Sequence, residues 1–75
     1  MIKTIAVCST GDTWDVCAWD EAGDAVDEPV WCTTKAEAIK VARQMFSAAS
    51  EASRLIVERK GMFEFQVIRE RAAAR

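Results

Sequence analysis

Apolar and polar positions recur with regular spacing along most of this chain, and the spacing predicts its elements. Lys3 to Ser9 reads K-T-I-A-V-C-S, β-branched and small apolar residues with no helical period, which predicts a strand starting almost at the first residue. Gly11-Asp12 supplies a turn. From Thr13 to Trp19 the chain alternates between two faces, Trp14, Val16 and Ala18 on one and Asp15, Cys17 and Trp19 on the other. The first set is the one expected to point inward.

Asp20 to Asp27 is a charged stretch around Gly23 that suits a hairpin tip or short loop. Pro29 cannot donate to a sheet ladder, so Val30 to Thr33 is expected as a short third strand at an edge. The strongest periodicity follows. Thr34 with Glu37 three residues on matches a capping box, and at 100° per residue Ala38, Ile39, Val41, Ala42, Met45, Phe46, Ala48, Ala49 and Ala52 fall on one half of a helical wheel. Glu37, Lys40, Arg43, Gln44, Ser47, Ser50 and Glu51 take the other half. A helix from Lys35 to Ala49 is predicted, with its apolar half laid on a sheet.

Arg54 to Lys60 and Met62 to Arg69 make a second hairpin pivoting near Gly61. In its second arm Phe63, Phe65 and Val67 alternate with Glu64, Gln66 and Ile68, the pattern of a strand covered on one side. Phe63, Phe65 and Val67 are expected to face the helix together with Leu55 and Val57, leaving Ile56 and Ile68 on the other face. Residues 70–75 have helix-forming composition but are too few to hold a helix alone, and are expected to fray. The whole, residues 1–75, reads as one α+β domain: a single helix on one face of a mainly antiparallel sheet, in the order β-β-β-α-β-β.

The strand Trp14-x-Val16, the acidic glycine-containing loop, the segment Thr34-Lys35-x-Glu37-Ala38-Ile39 with Ala42-Arg43, and the later Leu55-x-Val57 resemble a family of small uncharacterised bacterial and phage domains. That family runs G-W-x-V, a charged hairpin, T-K-x-E-A, a helix, L-x-V and a last hairpin. The likeness covers residues 12–67. This chain departs from it in carrying Thr13 where glycine is frequent, and in its additional first strand. What the resemblance implies is a fold; the family has no established activity to carry over to any residue.

Composition narrows the chemistry. With no histidine in the chain, the usual general base near neutral pH is missing. Cys8, Cys17 and Cys32 each sit in strand-like sequence, away from any helix N-terminus that would activate a thiolate. Three thiols spaced nine and fifteen residues apart match no zinc motif. As an odd number they fit a reducing compartment better than a disulfide framework. The acids between Asp12 and Glu28 lie on a hairpin and loop, an unsuitable frame for the fixed carboxylate pair of a glycosidase. The three glycines are isolated and form no phosphate loop. No enzyme, cofactor, metal or small-molecule substrate is expected, nor a membrane span, which needs about 20 apolar residues. The expected location is the cytoplasm, since no targeting segment is visible.

Charge is uneven. Up to Glu28 there are Asp12, Asp15, Asp20, Glu21, Asp24, Asp27 and Glu28 against Lys3 alone, and beyond it nine basic residues face five acidic ones. Three functions are compatible with such a chain. The favoured one is a protein-binding or self-associating module, most simply a homodimer, in which Cys17, Trp19, Ile56 and Ile68 form an apolar patch on the open sheet face. Asp20, Glu21 and Asp24 would then pair with Arg54, Arg59 or Arg69 of a neighbour. The alternatives are a nucleic-acid-binding domain using Arg43, Arg54, Arg59, Lys60, Arg69, Arg71 and Arg75, and an acidic decoy that occupies a host nucleic-acid enzyme. An overall net charge of −2 weighs against the first of these.

Overall fold

A computed structural model describes residues 2–59 and 64–71, with the side chains of Arg59 and Glu64 left out. The expected pivot at Gly61, the inward position of Phe63, Lys60 and residues 72–75 all lie outside the described residues. The elements are β1 (Thr4–Thr10), β2 (Thr13–Trp19), β3 (Val30–Cys32), α1 (Lys35–Ala48), β4 (Arg54–Arg59) and β5 (Glu64–Glu70). They form a five-stranded sheet ordered β3-β2-β1-β4-β5 with the helix packed on one face. The order β-β-β-α-β-β and the α+β class are those the periodicity predicts.

The sheet is mixed. β1 and β2 pair antiparallel through a two-residue loop, with Thr10 opposite Thr13. Gly11 has φ +79° and supplies the positive φ that the first loop position of a tight hairpin demands. Between β1 and β4 the pairing is parallel, from Thr4 opposite Arg54 to Val7 opposite Val57. That pairing follows from the crossover: the chain leaves the edge strand β3, crosses β2 and β1 as α1, and re-enters the sheet beyond them. Where the parallel ladder ends, the Ser9 amide donates to the Glu58 carboxylate (Oε2, 3.0 Å).

Helix α1 starts where the capping signal places it. Thr34 is extended (φ −128°, ψ 156°), and its hydroxyl accepts from the Glu37 amide at 3.2 Å. The glutamate does not complete the reciprocal half of a capping box; its carboxylate accepts from the Thr33 hydroxyl at 3.1 Å. Ala38, Ala42, Phe46, Ala49 and Ala52 meet Ile5, Val7, Trp14, Val16, Ala18, Cys32, Leu55 and Val57 in the core, flanked by Ile39, Val41 and Met45. Alanines at the contact let the helix lie close to the sheet, and the exposed Ala48 is the one member of the predicted apolar half that faces solvent.

The last turn of α1 has no basic residue of its own. Arg71 supplies one from the far end of the chain. Its Nη1 donates to the carbonyls of Ala49 (2.7 Å) and Ala52 (3.0 Å), its Nη2 to that of Phe46 (2.7 Å), and the guanidinium lies 4.0 Å from the Phe46 ring centroid. Of these, the Phe46 carbonyl is one that the last turn of a helix leaves without a partner, while those of Ala49 and Ala52 belong to the C-cap and the segment just beyond it. Glu70 and Arg71, expected as the start of a frayed tail, are instead held in place: Glu70 pairs with Arg54 within the sheet and Arg71 bonds the end of the helix.

Two further expectations are corrected in β5. Phe65 and Val67 do not face the helix; they are 45% and 46% exposed and share a face with Ile56, which sits opposite Val67. Ile68, expected on that open face, packs against the helix-side core. The physical reason is reach: α1 packs over β1, β2, β3 and β4 but not over β5, so no helix dictates which side of that strand carries its larger apolar residues.

Candidate functional site: the open face of the sheet

Register assigns the face turned away from the helix. Ala6 lies opposite both Cys17 and Ile56, and Ile56 opposite Val67, so these four form one row across β2, β1, β4 and β5. A second row runs Trp31, Asp15, Cys8, and a third runs Trp19, Thr4, Arg54, Glu70. None of the apolar members belongs to the helix-side core, yet Ala6 is fully buried and Ile56 nearly so at 5%.

Two aromatic side chains account for that burial. Trp19 on β2 and Phe65 on β5 have two strands between them, about 14 Å of sheet at the usual strand spacing. Their rings nevertheless meet edge to face, centroids 6.0 Å apart at 85°. Both side chains must lean inward over Ala6 and Ile56, making a ridge across the middle of the open face. A T-shaped aromatic pair adds about 0.5–1.5 kcal/mol beyond the area it buries. Around the ridge stand the exposed Phe65 edge, Val67 and Trp31, the last 67% exposed.

Among the polar groups of this face, Asp15 and the two thiols stand out. Asp15 is 9% exposed, and its Oδ1 accepts no hydrogen bond from the described residues, an arrangement that costs free energy unless a donor arrives. Cys8 and Cys17 are diagonal neighbours on β1 and β2 and share the open face. Burial, then the neighbouring Cys17, Glu58 and Asp15, push the Cys8 thiol up to about 12. Burial raises Cys17 as well, and Cys32 on the other face. Raised thiols are poor nucleophiles. All three cysteines are free, and the described residues contain no cluster of three or more metal-ligating side chains.

The structure divides the residues that the sequence proposes for an interface. Cys17, Trp19, Ile56 and Arg54 do lie on the open face. Asp20, Glu21 and Asp24 lie in the loop after β2, at one end of the sheet. There Asp20 is already engaged within its own loop, its Oδ1 accepting from the amides of Ala22 and Asp24, each at 3.0 Å. A cavity of about 470 Å³ brings Asp20 and Glu21 together with Lys3 and Arg54 of the same chain, so folding interleaves the two charge blocks at this end. Arg69 falls on the helix side beside Arg43, and the Arg59 side chain lies outside the described residues. Phe65, Val67, Trp31 and Asp15 were not proposed. The signal for them was an unpartnered Trp19, which needed an apolar neighbour on its own face.

No helix among the described residues is long and apolar enough to cross a membrane. No family model, no curated protein and no solved structure matches the chain.

Proposed function

We propose that this chain is a non-enzymatic protein-binding module of the cytoplasm that self-associates through its open sheet face, the Trp19–Phe65 ridge being the central anchor. The observation that carries the reading is that ridge, two large aromatics drawn together over Ala6 and Ile56 on a face that no helix among the described residues covers. Buried aromatic anchors ringed by less critical contacts are the usual energetic centre of a protein interface.

A second copy is the occupant that the pattern of charge favours. On the open face of β4 the order is Arg54, Ile56, Glu58. A two-fold axis lying between two such faces, above Ile56 and perpendicular to the strands, sets the aromatic ridges of two copies against each other and brings Arg54 of each copy over Glu58 of the other, so the strand is its own complement. Two sheets pack face to face about 10 Å apart, close enough for such pairs to meet and for a donor to reach the orphaned Asp15 oxygen. The ion pairs set orientation more than they add affinity.

Sedimentation over a range of concentrations tests the proposal. The expected result is a monomer–dimer equilibrium for the unaltered protein and a folded monomer for Phe65→Glu. A monomer at every concentration would overturn self-association.

A further inference from the structure

On the helix side, away from the proposed interface, a cavity of about 440 Å³ opens between the end of α1 and β5. Its polar lining is Arg43 and Ser47 from α1, Arg69 from β5 and Arg71 beyond it, over a floor of Phe46 and Leu55. Each arrives for a local reason. Arg43 and Ser47 are one helical turn apart and so share a side of α1. Arg69 is turned to this side by the irregularity in the β4–β5 ladder, where Leu55 sits opposite Arg69 and Ile56 already opposite Val67, which leaves Ile68 and Arg69 on the same face. Arg71 is fixed by its bonds to the carbonyls of Phe46, Ala49 and Ala52, at and just beyond the end of α1.

We propose that this cavity binds a phosphorylated small molecule, its phosphate held by the guanidinium groups of Arg43 and Arg69. Three guanidiniums line it and, among the described lining residues, no carboxylate balances them. The end of a helix ordinarily disfavours anions because its free carbonyls point outward; here the Arg71 guanidinium, bonded to the Phe46 carbonyl in the last turn and to those of Ala49 and Ala52 just beyond it, sets a positive charge against that negative end. Guanidinium forks match phosphate oxygens two at a time, Ser47 offers a hydroxyl, and a doubly charged phosphate ester suits this positive set better than a single carboxylate. The volume is that of a small-ligand site, which runs from about 300 to 1,000 Å³, and exceeds what a bare ion fills.

Amide NMR titrations of the full chain with inorganic phosphate, adenosine monophosphate and acetate test the site. The expected result is saturable shifts at Arg43, Ser47 and Arg69 with both phosphates, and acetate weaker on the order of tenfold. Arg43→Gln and Arg69→Gln should each weaken the monophosphate on the order of tenfold, while Lys40→Gln, on α1 but outside the cavity, leaves it unchanged. Shifts that never saturate in the unaltered protein overturn the site, whatever the variants do. Shifts that survive both arginine changes overturn it too. A single-stranded oligonucleotide that moves the same amides, with an affinity falling steeply with salt while the monophosphate moves none, overturns it in favour of a nucleic-acid surface.

Discussion

Trp19 and Phe65, on strands separated by two others, meet edge to face with ring centroids 6.0 Å apart. Contact over that span bends both side chains across the sheet and gives the open face a raised apolar centre. The pair ties an outer strand the helix does not reach, β5, back to β2. Phe65 thereby takes part in stability and in the proposed interface together.

Replacing Phe65 with alanine is expected to cost about 1–2 kcal/mol and to leave a cooperative unfolding transition. Full truncation of a buried ring costs about 3–5 kcal/mol, but this ring is nearly half exposed and loses one aromatic partner. Urea denaturation of the variant at a concentration where it is monomeric checks it. Complete unfolding would place Phe65 in the core after all.

Ala42→Asp should abolish folding. Ala42 is fully buried between α1 and the sheet, and an unpaired charge placed there costs several kcal/mol out of a total that for most domains is only about 5–15 kcal/mol. Loss of the thermal transition by circular dichroism is the expected outcome.

What the sequence made legible divides along the helix. Wherever α1 covers the sheet, period and cap suffice: Trp14, Val16, Leu55 and Val57 face inward as predicted, and α1 begins at the predicted Thr34 cap. Beyond it, alternation in β5 correctly separated Phe65 and Val67 from Gln66 and Ile68, but alternation alone does not say which set faces the helix. That choice depended on two long-range facts, the width of the helix relative to the sheet and the partner waiting in Trp19. The role of Arg71 was illegible for a similar reason, since a C-terminal lock twenty-five residues from Phe46 in sequence leaves no local pattern.

Arg71→Ala is expected to destabilise the domain by about 2–4 kcal/mol, because three charge-assisted bonds to carbonyls at and just beyond the end of α1 and the contact with Phe46 are lost together. Arg71→Lys should recover little, as one ammonium cannot reproduce the planar fork. Hydrogen exchange should show amides in the last turn of α1 losing protection first.

Alkaline pH should weaken the fold. The Cys8 thiol, raised by burial from 9.0 to about 12, keeps its proton in the folded chain while the unfolded chain releases it. The unfolded state thus binds fewer protons between these values, and stability falls as pH rises from about 9 towards 12. Cys8→Ser or Cys8→Ala should flatten the slope in urea titrations across that window. At neutral pH all three thiols should react slowly with iodoacetamide when folded, and a count after denaturation should return three.

The most direct measurement of the central claim is an isotope-filtered NMR experiment on an equimolar mixture of labelled and unlabelled protein, which detects contacts only between copies. Self-association through the open face predicts contacts between copies at the Trp19 indole, the Phe65 ring and the Val67 methyl groups. Contacts confined to the β3 edge at Val30 and Trp31, or none at concentrations where sedimentation finds dimer, would contradict it.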